Sequence, residues 1–295
     1  MKKALIYSAA VCLASWAVFG AVVLSGGESL TGNVTVMTGF KSLYMFFPMI
    51  TALVMQKLSG ERMFDRSIVN FRLNPAWLAA ALLPIGILAL SILLSALIPG
   101  VRLHFGAEQI ISMNGMDGEA ADALRSQMES ISPAVLIAGI LISGLIAGCT
   151  INAVFAFGEE YGWRGYMVHA LKGVGFWRAA LLIGMVWGIW HAPLILMGHN
   201  YAQHPVAGVP MMCVFCILLG VIELYLVRRT GSTVVAAIFH GTVNAISGMA
   251  LFFLEGGSDL LIGVSGVAGF AATGLVIGLI WLYDRRHGRI MASSL

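Results

Sequence analysis

Ionisable and amide side chains are concentrated at three places in the second half of the 295-residue chain. The three groups read Gly158-Glu159-Glu160-Tyr161-Gly162-Trp163-Arg164-Gly165, then Trp187-Gly188-Ile189-Trp190-His191-Ala192-Pro193, and finally Phe239-His240-Gly241-Thr242-Val243-Asn244. Each group lies within or beside a long apolar stretch. Because ionisable side chains are costly inside a membrane, their presence in such stretches marks a candidate functional site.

Residues of these types can activate water. A carboxylate and an imidazole held together can orient a water molecule and take its proton as a general base. A second imidazole and an amide NH₂ group can donate hydrogen bonds to the oxyanion of a tetrahedral intermediate. Hydrolysis by this route requires neither a hydroxyl nor a thiol nucleophile.

Helical spacing sorts the side chains within the groups. Glu160 and Arg164 are four residues apart, so they share a helix face and can neutralise each other. Consecutive helical residues point about 100° apart, and Glu159 should therefore face elsewhere without that partner. His240 and Asn244 are also four residues apart and can direct two hydrogen-bond donors to one point.

The elements that must position these groups are membrane helices. Hydrophobic residues make up 59% of the chain and charged residues only 11%, whereas a soluble domain carries about 25% charged residues. Too few charges remain to cover a water-exposed surface, so the sequence predicts an all-α, polytopic integral membrane protein. The net charge of +3 gives no indication of a nucleic-acid partner.

Apolar stretches of about 20 residues are long enough to span the hydrocarbon core of a bilayer. The predicted transmembrane helices are Leu5–Ser25, Phe40–Lys57, Ala76–Ile98, Ala134–Phe157, Trp177–Met197, Gly208–Val227, Thr233–Leu254 and Leu260–Tyr283. We expect the first to be retained, because its apolar run exceeds the roughly 7–15 residues of a signal-peptide core. The loop Pro99–Pro133 has apolar residues at helical spacing, which predicts a short interfacial helix.

The basic residues test this arrangement of about eight helices. If both termini are cytoplasmic, 14 of the 17 Lys and Arg residues fall on the cytoplasmic side. They are Lys2, Lys3, Lys57, Arg62, Arg66, Arg72, Arg164, Lys172, Arg178, Arg228, Arg229, Arg285, Arg286 and Arg289. Because cytoplasmic segments carry an excess of basic residues, the sequence predicts cytoplasmic N- and C-termini, in a membrane that we expect to be a bacterial inner membrane.

The depth of the polar groups follows from the same basic residues. Glu159 and His191 each lie 13 residues, and His240 lies 11 residues, from a cytoplasmic Lys or Arg. At about 1.5 Å per helical residue, all three lie roughly 16–20 Å deep. We therefore expect one shared cavity that opens towards the cytoplasm. The fourth helix must then continue past Phe157, and Pro193, which has no N–H, should kink the fifth helix beside His191.

The three groups contain three motifs in order. They are Glu159-Glu160-x-x-x-Arg164, Trp187-x-x-x-His191 and His240-x-x-x-Asn244. Together the motifs resemble the CPBP family, which comprises CAAX prenyl proteases of the Ras-converting type and bacteriocin-processing (Abi) proteins. The resemblance covers roughly residues 140–254 and implies an intramembrane endopeptidase. It implies supporting or substrate-binding roles for Glu160 and Arg164.

The resemblance also implies catalytic roles. Glu159 and His191 would activate the water, while His240 and Asn244 would form the oxyanion site. The resemblance implies a supporting or substrate-binding role for Trp187. The family usually has Phe at this position, so the aromatic ring is retained here in a different form.

Cofactors and partners follow from this interpretation. We expect water to be activated without a cofactor. The alternative is a metalloprotease in which Glu159, His191 and His240 hold zinc, since two histidines and a glutamate suit that ion. The expected partners are membrane lipid and a peptide or membrane-protein substrate, with no nucleic acid. Asn152 precedes Glu159 by seven residues, on nearly the same helix face, and is a further supporting candidate.

Two other functions use the same residues. In a membrane transporter, Glu159, Arg164 and the histidines would relay protons or bind an ion, although the sequence has no visible inverted repeat. A catalytically silent immunity or scaffold protein could also retain this fold.

The sequence divides into three segments. Residues 1–133 hold the first three transmembrane helices and the external loop, 134–254 hold the catalytic helices, and 255–295 hold the last helix and a cytoplasmic tail. Outside the motifs, Glu223 is expected to snorkel or to pair beside Arg228 and Arg229, and His199 and His204 are expected to be solvated in an external loop.

Overall fold

The computed structural model describes residues 1–31, 34–65 and 68–295, which are mostly helical with very little strand. Its α-helices are α1 (Lys2–Thr31), α2 (Val34–Tyr44), α3 (Phe47–Leu58), α4 (Pro75–Ser95), α5 (Glu108–Asn114), α6 (Gly118–Ser130), α7 (Pro133–Cys149), α8 (Ile151–Glu160), α9 (Met167–Ala170), α10 (Phe176–Trp190), α11 (Ala192–Leu196), α12 (Pro205–Thr230), α13 (Thr233–Ile246) and α14 (Val267–His287). Arg66, which is predicted to be cytoplasmic, lies outside the described residues.

Shorter elements complete the chain. A π-helix (Tyr161–Tyr166) joins α8 to α9, and 3₁₀ helices cover Ser247–Phe252 and Ile290–Ala292. Two short strands, β1 (Arg102–Leu103) and β2 (Leu254–Glu255), pair in antiparallel register.

Six helices in the described part of the chain are long and apolar enough to cross a membrane. They are Lys2–Gly26, Thr35–Leu58, Pro75–Ser95, Pro205–Thr230, Thr233–Phe252 and Val267–His287. A seventh span results if α6 and α7, which meet at 103°, are counted as one. The predicted all-α, polytopic membrane fold is confirmed, with six or seven such helices where the sequence suggested about eight.

The predicted fourth span, Ala134–Phe157, is divided in two. Thr150 has non-helical backbone angles (φ −121°, ψ −96°) and separates α7 from α8. The chain then continues past Phe157 through the π-helix as far as Ala170, as the depth of Glu159 required. The helix predicted within the long loop is present as α6.

The predicted fifth span, Trp177–Met197, is interrupted beside the site. α10 ends at Trp190, and the shorter α11 begins at Ala192 with Pro193 in its first turn. Because proline has no N–H to donate to the preceding turn, Pro193 weakens the helical hydrogen bonding at this point. A kink was expected beside His191, and the structure has an interruption between two helices there.

Glycines bring the site helices close together. A Cβ on Gly188 of α10 would lie 2.4 Å from the Cα of Cys213 on α12. A Cβ on Gly241 of α13 would lie 2.6 Å from the carbonyl oxygen of Gly148, at the end of α7. Only glycine permits backbones to approach so closely, which is a common way of packing membrane helices.

The segments that are predicted to be cytoplasmic meet at one end of the bundle, which we term the basic end. There the N-terminal amino group donates to the carbonyl of Ala170 at 3.3 Å, Lys3 pairs with Glu61, and the Asn70 amide donates to the carbonyl of Gly231. Segments from distant parts of the sequence therefore close over this end.

The segments that are predicted to be external meet at the opposite end. There β1 pairs with β2, and the Tyr201 hydroxyl donates to the carbonyl of Ser265 at 2.7 Å. Nδ1 of His204 lies 2.6 Å from Oδ1 of Asp259, so His204 is tied to the protein and is not simply solvated as expected.

Candidate active site

A single cavity of about 580 Å³ contains most of the residues that the sequence singled out. Its lining includes the four predicted catalytic residues and two of the predicted supporting residues: Glu159, His191, His240, Asn244, Asn152 and Trp187. These side chains come from α8, α10 and α13 and from the break after α10. Helices far apart in sequence thus contribute to one space.

Glu159 lies at the end of α8, where the helix changes to the wider π form. Its side chain is buried, with 2% of the residue exposed, and Oε2 accepts a hydrogen bond from Nε1 of Trp187 at 2.5 Å. Among the described residues, no basic side chain forms an ion pair with Glu159. Its neighbour Glu160 does form such pairs, as the helical spacing predicted.

Trp187 links the parts of the site. Besides donating to Glu159, its ring meets the imidazole of His240 edge to face, with centroids 5.2 Å apart. The guanidinium carbon of Arg164 lies 4.2 Å from the centre of the indole ring, in a cation–π contact. A phenylalanine could make both ring contacts but could not donate to Glu159.

His191 caps the broken end of α10. Its backbone N–H bonds to the carbonyl of Gly188, so the carbonyl of Trp187 accepts a hydrogen bond from the imidazole Nδ1 instead, at 2.9 Å. This bond places the ring proton on Nδ1 and leaves Nε2 as a hydrogen-bond acceptor. The break that Pro193 imposes therefore both orients His191 and fixes its tautomer.

A buried charge network lies beneath the cavity, towards the basic end. Glu160 accepts from Arg164 at 3.0 Å and from Nδ1 of His240 at 2.9 Å, and Arg164 also pairs with Glu223. The exposed fraction of each side chain is 5% or less. Two carboxylates and one guanidinium leave one negative charge, so the network is neutral when His240 carries protons on both ring nitrogens.

The interpretation of Glu223 was wrong. It neither snorkels nor pairs with Arg228 or Arg229; it is fully buried against Arg164. Glu223 follows Cys216, a cavity-lining residue, by seven residues and so shares its helix face. Because only the structure shows that this face of α12 packs against the site, the sequence held no signal that would have assigned Glu223 to it.

The two asparagines differ in their surroundings. Asn152 donates from Nδ2 to the carbonyl of Gly241 at 3.3 Å, which ties α8 to α13 at their close approach. Asn244 lies one turn beyond His240 on α13, lines the cavity and is exposed. Its amide is therefore free to meet a bound group.

The alternative zinc site was tested against the donor set. In the described residues, the candidate ligand atoms that lie within 4.8 Å of one another belong to Glu160, Glu223 and His240. Glu159 and His191 are not part of that cluster, and Arg164 is already bonded to both of its carboxylates. The residues as arranged do not fit a preformed zinc site.

We expected the cavity to open towards the cytoplasm, and so towards the basic end, and the expectation about the basic end was wrong. Its lining includes Lys41, His199, Asp259 and Ser265, all from the opposite end, and none of the predicted cytoplasmic Lys or Arg residues. His199 is thus half-buried in the cavity wall, not simply solvated, with Nδ1 3.4 Å from Nζ of Lys41. Burial and the nearby Lys41 lower the pKa of His199 to about 4.

Comparisons with known proteins agree with the family that the motifs resemble. Residues 135–246 match the family described as Type II CAAX prenyl endopeptidase Rce1-like. A protein of Methanococcus maripaludis named CAAX prenyl protease 2 is 26% identical over 141 residues, which cover 39% of this chain and 52% of that protein. The chain therefore spans about half the length of this relative. Residues 135–246, which match the family, contain all three motifs.

Proposed function

We propose that this membrane protein, which is similar to type II CAAX prenyl endopeptidases over residues 135–246, is an endopeptidase that cuts peptide bonds within the bilayer. The observation that carries the proposal is the convergence of Glu159, His191, His240 and Asn244 on one cavity. Family resemblance alone would not distinguish an active enzyme from a silent relative, whereas this convergence supplies the groups that hydrolysis needs.

In the proposed reaction, Glu159 and His191 hold one water molecule. Oε2 of Glu159 is occupied by the Trp187 N–H, so Oε1 faces the water, and Nε2 of His191 accepts from it. The carboxylate takes one proton from the water as its oxygen attacks the peptide carbonyl carbon. That proton is then delivered to the amine as the C–N bond breaks, so the pair ends in its starting state.

The oxyanion that forms on the carbonyl would be stabilised by His240 and Asn244. Nδ1–H of His240 is committed to Glu160, so donation to the oxyanion must come from Nε2–H. His240 must therefore be doubly protonated, which is the state that makes the buried charge network neutral. The Asn244 NH₂ group supplies a second donor from one turn further along α13.

The decisive experiment compares membranes that contain the wild type or Glu159→Gln by proteomics of peptide termini. New termini should appear only with the wild type. Glu119→Gln, which changes an exposed carboxylate on α6, is the matched control and should behave as wild type. Identical sets of termini in all three membranes would favour the immunity, scaffold or transporter alternatives.

Zinc dependence is tested separately on the purified protein. If Glu159 and His191 activate water directly, cleavage should survive chelators. Activity that is lost with a chelator and restored by one zinc ion per chain would instead favour the metalloprotease alternative.

A further inference from the structure

We propose that a second cavity, separate from the candidate active site, binds the phosphate of an anionic phospholipid headgroup. This cavity has a volume of about 630 Å³ and lies at the basic end, between the start of α10 and the end of α14. It shares no lining residue with the cavity around Glu159. Arg178 in its lining precedes His191 by 13 residues, which is about 20 Å along α10. We term it the arginine cavity.

Three arginines give the arginine cavity its charge. Arg178 comes from the first turn of α10, Arg285 from the last turn of α14, and Arg289 from the turn that follows α14. All three are exposed, and none of them forms an ion pair within the described part of the chain. Guanidinium groups suit phosphate, because their planar N–H donors match its oxygens in pairs. The lining therefore offers donors to an anion that the protein itself does not supply.

The lining also contains one carboxylate, which the fold keeps occupied. Asp284 is buried, and its Oδ1 accepts from the backbone N–H of Ile290 at 3.0 Å. Its Oδ2 accepts from the backbone N–H of Met291 at 2.8 Å. Both oxygens thus hold the turn after α14 in place. Counted against three arginines, this single carboxylate leaves the lining with a net positive charge.

Backbone hydrogen bonds fix the wall of the arginine cavity. The N–H of Phe176 donates to the carbonyl of Ser293 at 3.0 Å, and the N–H of Leu295 donates to the carbonyl of Val174 at 2.9 Å. These bonds attach the C-terminal residues to the start of α10. Because the wall is already ordered, a ligand loses less of its binding free energy to ordering the protein than it would on a flexible surface.

Two tryptophans indicate that the arginine cavity lies at the level of lipid headgroups. Trp177 and Trp281 both line it and are exposed. Tryptophan is enriched at membrane–water interfaces, where its apolar ring and its N–H contact different phases. The guanidinium carbon of Arg285 lies 4.8 Å from the centre of the Trp281 ring, in a cation–π contact that holds this arginine at the same level.

An apolar surface continues from the arginine cavity along both helices. On α10, Leu181 lies one turn beyond the cavity and is exposed. On α14, Gly274 and Gly278 share a face with Trp281, at spacings of four and three residues. A Cβ on either glycine would contact nothing within 4 Å beyond its own helix backbone. The face below Trp281 is therefore a shallow groove in which an acyl chain can lie while its phosphate reaches the arginines.

The groove and the charge together specify the ligand. A soluble phosphate would use the arginines but leave the groove empty, whereas a phospholipid uses both. Basic pockets beside transmembrane helices are typical of sites for anionic headgroups. A zwitterionic headgroup would bring its own cation next to the arginines, so the structure favours a phospholipid with a net negative charge.

Native mass spectrometry of the purified protein in detergent tests the site. The protein would be titrated with dioleoylphosphatidylglycerol or dioleoylphosphatidylcholine, and the first titration would be repeated with equimolar glycerol phosphate as a soluble competitor. Arg178→Gln/Arg285→Gln removes two charges from the arginine cavity. The matched control, Arg72→Gln/Arg286→Gln, removes two exposed arginines that do not line it. If the cavity variant does not fold, Arg285→Gln and Arg286→Gln, neighbours on α14, give the same comparison.

The wild type and the control should bind one phosphatidylglycerol at least about tenfold more tightly than phosphatidylcholine. The cavity variant should bind phosphatidylglycerol at least about tenfold more weakly than the wild type, as expected when a hydrogen bond to a charged group is lost.

Three results would overturn the proposal. The first is equal affinity of the wild type for the two lipids, and the second is an affinity for phosphatidylglycerol that the cavity variant and the control share. The third is displacement of phosphatidylglycerol by glycerol phosphate, which would make a soluble phosphate the ligand. The measurement requires no cleavage, so its outcome is independent of the proposed peptidase function.

Discussion

Glu159 and Glu160 are adjacent and equally buried, yet their removal should have opposite consequences. Glu160 bonds to Arg164 and His240, whereas Glu159 has a neutral indole donor and no ion pair among the described residues. Glu160→Gln removes the charge that compensates Arg164 and His240. Loss of one partner of a buried ion pair costs about 3–5 kcal/mol, and we expect the lower figure because glutamine still accepts one hydrogen bond.

The unfolding temperature in detergent should therefore fall by roughly 6 °C in Glu160→Gln, at about 2 °C per kcal/mol for a chain of this size. Glu159→Gln should unfold at the wild-type temperature or above it, because it removes a buried charge that has no opposite charge paired with it. Its carbonyl can still accept from Trp187. Intrinsic tryptophan fluorescence during heating would measure both variants.

Activity should show the reverse order. Glu159→Gln removes the general base and should lower cleavage by at least about 10²-fold, while folded Glu160→Gln should retain more activity than Glu159→Gln. Equal destabilisation by the two substitutions would refute the distinction between a charged support and an unpaired base. Near-normal turnover by purified Glu159→Gln would refute the glutamate mechanism itself.

Three further outcomes follow from the geometry. Asn244→Ala should lower kcat by about 10²-fold with little effect on folding; an unchanged kcat would remove it from the oxyanion site. Trp187→Phe keeps the ring contacts but loses the donor to Glu159. Because a hydrogen bond to a charged group is worth about 1.5–3 kcal/mol, kcat/KM should fall by roughly 10–100-fold. The pH profile of cleavage should also shift, and wild-type kinetics would contradict the positioning role of Trp187. The pKa of His199 is lowered to about 4 in the folded state, against about 6.5 in the unfolded chain. Between these two pH values the unfolded state binds the proton preferentially. The stability of the folded protein should therefore fall as the pH drops through this range. His199→Gln should flatten that part of the stability curve, and an unchanged slope in thermal unfolding between pH 7 and 4 would contradict the assignment.

The sequence by itself determined the membrane class, most of the helices and the residues of the candidate site. Low charge content and long apolar stretches leave few alternatives to membrane helices. Spacing within one helix fixes which side chains share a face, so the pairing of Glu160 with Arg164 could be predicted. The missing N–H of Pro193 predicted a kink beside His191. Counting residues from the basic end also gave Glu159, His191 and His240 a common depth.

Tertiary structure decided the features that depend on contacts between helices. Glu223 was placed beside Arg164 by the packing of α12 against the site. The Trp187 donor reached Glu159 because the fold brings this position of α10 to the end of α8. The open end of the cavity could not be predicted, because depth along one helix does not reveal which side chains from other helices fill the space. The buried charge network lies towards the basic end, whereas exposed residues of α2, α13 and the external connections line the cavity at the other end.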